Sequence, residues 1–174
     1  MTIDTARKLH ISTISPEALG SYGAALSFGT PSISVTWPAT NDALFIPFTI
    51  SKTILVKRMF TCNGNAVSGA VDMGIYTSDA TLIVSSGSTN QAGTSLLQPF
   101  DVTDTVLGPG IYYMAAAINN TTAKIVRWIP SILNHKKMGT AKMATAFPLP
   151  ATATLATVTV TFLPLIGIDL GGIV

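Results

Sequence analysis

Charged side chains are scarce in this chain of 174 residues. Lys, Arg, Asp and Glu make up 10% of it, well below the roughly 25% of an ordinary soluble domain. The formal net charge of +2 is too small to indicate a nucleic-acid partner, because such binding leaves clustered Lys and Arg. The single cysteine, Cys62, excludes an internal disulfide framework and a cysteine-based zinc site. We therefore expect no nucleic-acid partner, no metal and no cofactor.

A leader and a long hydrophobic run are also missing from the sequence. Residues 2–16 contain no apolar segment of the kind found in signal peptides. The longest apolar run, residues 163–174, is interrupted by Asp169 and is shorter than the roughly 18 residues of a membrane span. These features predict a chain that is made in a cytoplasm and does not enter a membrane. It is expected to stay in the cytoplasm or to be assembled from there into something larger.

What the chain has in abundance is apolar and hydroxyl-bearing residues. Hydrophobic residues reach 48%, the mean hydropathy is +0.49, and Thr and Ser number 24 and 14. Because β-branched Thr fits a half-exposed pleated surface, this composition is typical of β-strands. Apolar residues recur with a period of two in several segments, at spacings near ten residues. The sequence therefore predicts an all-β fold, an antiparallel two-sheet sandwich of jelly-roll type.

The pattern also divides the chain into three parts. Residues 1–31 are predicted to be an extended N-terminal arm, because glycines interrupt any periodicity there. Residues 32–164 are predicted to be the β-sandwich, with an irregular insertion over residues 130–150. Its clearest strand is predicted at residues 156–162, where Ala, Val and Phe alternate with Thr. Residues 165–174 are predicted to be a short apolar C-terminal tail.

The sequence offers little material for catalysis. A serine triad needs a histidine beside its nucleophile, and the chain has only His10 and His135. His10 lies in the predicted arm and His135 in the irregular insertion, so we interpret both as solvated or interface residues. Cys62 ends a predicted strand, where a small buried hydrophobe is favoured over a reactive thiolate. We expect no enzymatic activity, and a small hydrolase with an unrecognised cleft is the alternative.

Two further groups allow more than one interpretation. Asp101 and Asp104 could contribute oxygen ligands to a calcium ion, but Asp at such positions also caps turns, which we favour. Tyr112, Tyr113 and Trp128 could stack on a sugar ring, although aromatic residues of this kind are more often core or inter-subunit contacts.

Four segments, taken in order, resemble jelly-roll domains in structural proteins of tailed bacteriophages. They are VDMGIY at residues 71–76, SSGST at 85–89, FDVTDT at 100–105 and LGPGIYYMA at 107–115. The match covers roughly residues 33–128. This resemblance implies a virion component, and we expect it to lie on the capsid surface and to be assembled in the host cytoplasm. It transfers no catalytic or metal-binding residue to this chain.

Two functions are compatible with that resemblance. The first is a capsid decoration (cement) protein, a homotrimer that binds the major capsid protein on the outside of a phage head and stabilises it. The second is the receptor- or glycan-binding tip of a tail fibre. The contact residues that we predict lie in the arm and in the tail: Arg7, Lys8, His10, Ile11, Leu165, Ile166 and Ile168.

Overall fold

A computed structural model describes residues 21–23 and 32–173 of the chain. These residues form fourteen strands and one helix. The elements are, in chain order, β1 (Ser21–Gly23), β2 (Ser32–Thr36), β3 (Ala43–Ile50), β4 (Ile54–Cys62), β5 (Ala70–Thr77), β6 (Leu82–Ser85), β7 (Thr89–Asn90), β8 (Leu97–Leu107), β9 (Gly110–Ile118), β10 (Lys124–Trp128), α1 (Ile132–Met138), β11 (Ala141–Met143), β12 (Ala156–Thr157), β13 (Leu163–Pro164) and β14 (Ile166–Ile173).

The strands form three antiparallel sheets, which confirms the all-β prediction. The seven-stranded sheet has the order β12-β11-β3-β9-β5-β6, with β7 also paired to β5. The four-stranded sheet has the order β1-β14-β4-β8, and the three-stranded sheet has the order β13-β10-β2. Every pairing between these strands is antiparallel.

The main core lies between the inner faces of the sheets. In β5 the buried side chains of Val71, Met73 and Ile75 all belong to it, as their spacing of two residues predicts. The four-stranded sheet contributes side chains from β4, β8 and β14, and the three-stranded sheet contributes from β10 and β13. The large buried side chains include Trp37, Leu44, Ile50, Ile54, Met59, Met73, Ile75, Met114, Ile118 and Ile125. The fold is thus sandwich-like, with its main core between the sheets.

The outer face of the seven-stranded sheet is buried as well. A second apolar cluster includes Phe45, Tyr76 and Ala115 from the sheet, and Ala146, Leu149 and Ala153 from residues 141–155. We call residues 141–155 the cover segment. The predicted irregular insertion at residues 130–150 is therefore a structured part of the fold, since it contains α1, β11 and part of this cover.

Local sequence explains where α1 begins and ends. The Ser131 hydroxyl caps its first turn by accepting a hydrogen bond of 3.1 Å from the Asn134 N–H. Gly139 follows the last residue with φ of 73°, a left-handed conformation that favours glycine, and its N–H donates to the His135 and Lys136 carbonyls.

Two predictions about the C-terminal part of the chain are wrong. Only Ala156–Thr157 of the predicted strand at 156–162 is a strand. Residues 166–173, predicted to be a tail, form β14, which lies between β1 and β4 within the four-stranded sheet. The sandwich therefore extends beyond residue 164, and on the other side it includes β1 at residues 21–23, within the predicted arm.

Candidate interaction surface

The predicted contact residues divide into two groups. Arg7, Lys8, His10 and Ile11 lie outside the described residues. Ile166 and Ile168 are fully buried in the main core, and Leu165 is half-buried. The Leu165 backbone is also occupied, because its N–H donates to the Val126 carbonyl and its carbonyl accepts from the Cys62 N–H. Leu165, Ile166 and Ile168 therefore lie within the sandwich. The chain forms β14 where a free tail was predicted.

His135 has a different environment from the one predicted. It lies on α1 and its side chain is only 1% exposed, so it is neither solvated nor in an irregular loop. Within the described part of the chain, neither ring nitrogen has a hydrogen-bond partner. Burial lowers the pKa of His135 and so favours the neutral imidazole. A ring without a partner has no nucleophile to activate and no carboxylate to orient it, as a triad would require.

Cys62 ends β4 and is half-buried. It follows the inward-facing, buried Thr61, so its side chain lies on the outer face of the four-stranded sheet. Burial raises the pKa of the Cys62 thiol. The thiol is therefore protonated near neutral pH, which is the form that lacks nucleophilic reactivity.

Asp101 and Asp104 lie within β8, which corrects the prediction that they cap a turn. Asp104 forms an exposed ion pair of 3.6 Å with Lys57, and Asp101 lies opposite Arg58 in the strand register. Among the described residues no group of three or more His, Cys, Asp or Glu side chains could hold a metal ion.

Tyr112 and Tyr113 lie on opposite faces of their sheet, and Tyr112 and Trp128 both pack against the main core. Tyr112 and Tyr113 are neighbours in β9, so their side chains point to opposite faces of the sheet. Tyr112 packs against the main core and its hydroxyl donates to the Gly108 carbonyl, whereas Tyr113 packs against the cover cluster. These two residues therefore do not form a common platform for a sugar ring.

The outer face of the four-stranded sheet carries an apolar surface that the sequence analysis missed. Cross-strand pairs place Leu55 beside Val106, Phe60 beside Pro99, and Cys62 beside Leu97. Leu97 and Val106 are 57% and 61% exposed, and the three β4 residues are half-buried. We call these six residues the β4–β8 face. The ion pairs Lys57–Asp104 and Arg58–Asp169 lie on the same sheet, so the surface combines apolar and charged groups.

The β4–β8 face suits side-chain packing better than strand addition. β8 is an edge strand, because no strand among the described residues pairs with its second side. Its backbone is poorly suited to a further partner, since Pro99 lacks an N–H and the register with β4 shifts between Val56 and Arg58. A partner would therefore bind through the exposed side chains. The signal in the sequence was the apolar character of both faces of residues 53–62.

A buried network of amides fixes the loop that leads into β8. The Asn63 side chain is fully buried, and its amide donates to the Ala92 and Gly93 carbonyls and to Gln98 Oε1. Its oxygen accepts from Gln91 Nε2 at 3.0 Å and from the Thr61 hydroxyl at 3.1 Å. This network holds the start of β8, and with it Leu97, in place on the β4–β8 face.

In the described part of the chain, no helix is long and apolar enough to cross a membrane. Comparisons of this chain with family models, with curated proteins and with solved structures gave no match. The segments that carry the phage resemblance lie in β5, in β6 and the residues leading to β7, in β8, and in the turn and strand of β9. The resemblance therefore remains a prediction that rests on these sequence segments.

Proposed function

We propose that this chain is a non-enzymatic structural protein of a tailed-phage particle. In this proposal it is a decoration protein that binds the major capsid protein on the outside of the head, as a homotrimer, and stabilises the shell. The same proposal assigns the sandwich to the jelly-roll type. The order of the strands in the two large sheets carries the jelly-roll assignment, and the exposed apolar side chains of the β4–β8 face carry the assignment to an assembly.

The strand order supports the jelly-roll assignment. The eight strands β1, β3, β4, β5, β6, β8, β9 and β14 are numbered 1 to 8 here in chain order. The four-stranded sheet then has the order 1-8-3-6, and the matching part of the seven-stranded sheet has the order 2-7-4-5. Successive strands thus alternate between the sheets, except for the hairpin of strands 4 and 5, as in two Greek keys, the connectivity of a jelly roll. Jelly rolls are common in viral capsid and lectin domains, which agrees with the resemblance but does not by itself fix a function.

The exposed apolar side chains support the proposal that this protein functions as part of an assembly. Leu97 and Val106 lie at opposite ends of the β4–β8 face, with the Lys57–Asp104 ion pair between the two apolar ends, and exposed apolar patches of this kind mark interaction sites. We assign this face to contacts between copies of the chain. A heterologous contact of this type closes into a ring when the rotation between copies is a simple fraction of a turn, as in a trimer.

Self-association is tested by multi-angle light scattering. We expect the wild-type chain to have the mass of a trimer. The double variant Leu97→Ser, Val106→Ser should have a smaller mass at equal concentration, because the apolar surface between copies is lost. Ile111→Ser is the matched control, since Ile111 is equally exposed but lies on β9 of the other sheet. A wild-type monomer at concentrations of tens of micromolar, or a double variant with the trimer mass, would contradict this assignment.

Location is tested by immunogold labelling of the virus particles whose genome encodes the chain. Label spread over the head would support the decoration function. Label at the tip of the tail would overturn it in favour of the fibre-tip function and would direct attention to glycan binding. Particles without label would overturn the virion assignment as a whole.

A further inference from the structure

The charges of this protein are strongly segregated along the chain. No Asp or Glu occurs between Asp104 and Asp169, whereas the same stretch contains five cations. They are Lys124, Arg127, Lys136, Lys137 and Lys142. Both ion pairs found among the described residues, Lys57–Asp104 and Arg58–Asp169, lie on the four-stranded sheet. The cations of α1 and β11 therefore have no acidic partner in the described part of the protein.

Two of these cations share an exposed helix face with a leucine. Lys136 and Lys137 follow Leu133 by three and four residues, so all three side chains lie on one side of α1. Leu133 is 59% exposed, and both lysines are exposed. Ile129, 47% exposed, lies two residues before the capping Ser131. We call Leu133, Lys136 and Lys137 the α1 face.

Helix stability explains only part of this arrangement. Cations in the last turn of a helix interact favourably with its dipole, which accounts for the two lysines. It does not account for the exposed leucine and isoleucine, because the same element already buries His135 and packs Met138 against the core. Large apolar side chains left in water beside unpaired cations are the composition of a binding surface with an apolar centre and a charged rim.

We propose that the α1 face docks on an acidic protein surface that receives Leu133 in an apolar depression. The identity of that surface rests on the proposed function, in which it belongs to the capsid shell. The chemistry is argued from the α1 face alone: two cations without acidic partners call for carboxylates, and the exposed Leu133 calls for an apolar contact between them.

The size of the α1 face favours a protein over a membrane or a nucleic acid. Each lysine near an anionic bilayer contributes only about 1 kcal/mol, and one seven-residue helix offers little apolar area for insertion. Non-specific nucleic-acid affinity comes from neutralising many phosphates, whereas this face offers two lysines, and such binding makes no use of Leu133. A protein surface uses both the charges and the apolar side chains.

The test measures binding of the purified full-length chain to virus particles stripped of it. Lys136→Glu, Lys137→Glu and Leu133→Ser are each compared with Lys52→Glu, an exposed lysine between β3 and β4 that carries the same charge change. We expect each α1-face variant to bind about tenfold more weakly, a loss typical of one good interface contact, and Lys52→Glu to bind like the wild type. Raising the salt concentration should weaken the wild type more than the charge variants. Circular dichroism melting checks that the variants are folded.

Failure of the inference is distinguishable from failure of the proposed function. If the wild type binds the particles and all three α1-face variants bind equally well, the α1 face is not the docking surface, although the decoration function stands. If the wild type does not bind the particles, the proposed function is wrong. Binding of the chain to a sensor coated with poly-L-glutamate then tests whether the α1 face recognises an acidic protein surface. Binding there that is lost in Lys136→Glu and Lys137→Glu supports an acidic protein partner. No binding, or stronger binding to phosphatidylglycerol vesicles or duplex DNA, overturns it.

Discussion

At the scale of single residues, the buried polar side chains determine how the stability of this protein responds to substitution and to pH. Asn63 and Asp72 are buried with their hydrogen bonds made, whereas His135 is buried with none. A buried polar group with partners adds specificity to a fold, while one without partners costs free energy, more so when it is charged. The three residues therefore respond differently to substitution and to pH.

His135 should make the protein sensitive to mild acid. Burial lowers its pKa in the folded state below the ordinary value of 6.5, so the folded chain keeps the ring neutral while the unfolded chain takes up a proton. The contribution of neutral His135 is therefore complete above pH 6.5 and is lost as the pH falls below it, by at most about 1.4 kcal/mol for each pH unit. Urea unfolding at a series of pH values from 8 to 5 measures this slope.

The matched variant for this prediction is His135→Leu, which keeps an apolar side chain of similar size on α1. Its free energy of unfolding should change less between pH 7 and pH 5 than that of the wild type. An identical pH dependence in the two proteins would contradict the role given to His135.

Asn63→Ala should be strongly destabilising. The substitution removes the fully buried side chain that joins Gln91, Gln98 and the Ala92 and Gly93 carbonyls, and it leaves the buried Gln91 amide and the half-buried Gln98 with fewer partners. We expect the free energy of unfolding to fall by about 3 kcal/mol, measured by chemical denaturation. Asn65→Ala is the control, because Asn65 is exposed and its side chain hydrogen-bonds to Ser34 and Lys124 at the surface. Equal losses in the two variants would refute the network.

At the scale of elements, the cover segment is attached to the sheet at defined points. The Asp72 carboxylate on β5 accepts the Leu149 N–H at 2.9 Å and the Ser85 hydroxyl at 2.5 Å. The Tyr76 hydroxyl, also on β5, donates to the Pro150 carbonyl at 2.7 Å. Burial, together with the negative charge of Asp72, raises the pKa of Tyr76, so this donor keeps its proton across the physiological range.

Asp72→Ala should loosen the cover segment before it affects the main core. The Leu149 N–H and the Ser85 hydroxyl would lose their acceptor, and Leu149 packs directly over β5, since a Cβ at Gly74 would lie 2.7 Å from its Cδ1. We expect amide hydrogen exchange to accelerate in residues 146–153 more than in β4, as measured by mass spectrometry. Asp79→Ala, in the exposed turn after β5, should leave the exchange of the cover segment unchanged. Uniform acceleration over the chain would show that the segment does not open on its own.

The predicted strand at residues 156–162 shows that apolar residues with a period of two indicate which side chains are buried, and do not by themselves indicate strand pairing. Val158 and Phe162 are buried and the threonines between them are exposed, so the alternation correctly indicated which side faces the core. The backbone nevertheless forms a strand only at Ala156–Thr157. Alternation reports burial of one face, and a hydrogen-bonded neighbour is a separate requirement that the local sequence does not contain.

At the scale of the whole molecule, β14 joins the C-terminal end of the chain to the centre of the four-stranded sheet. A chain that ends at Pro164 should therefore fail to fold, because β1 and β4 would lose the strand between them and the core would lose Ile166 and Ile168. We expect no cooperative transition in thermal melting followed by circular dichroism. Deleting residues 1–20, outside the described strands, should preserve that transition. Cooperative melting of the chain that ends at Pro164 would support the interpretation of residues 165–174 as a free tail.

The sequence by itself determined the all-β class, the inward-facing residues of an alternating segment such as β5, and the scarcity of groups for chemistry. These properties follow from composition and from local alternation, which each segment carries within itself. Only the tertiary structure decided that residues 166–173 form an inner strand, that the cover segment buries the second face of a sheet, and that Leu97 and Leu133 stay exposed. The alternation of Ile166, Ile168 and Leu170 is present in the sequence, but the segment is short and follows Pro164, and it was predicted to be an apolar tail. The physical reason is that strand pairing and burial depend on partners far away in the sequence, such as β4 for β14. A local pattern does not specify which distant segment will pair with it.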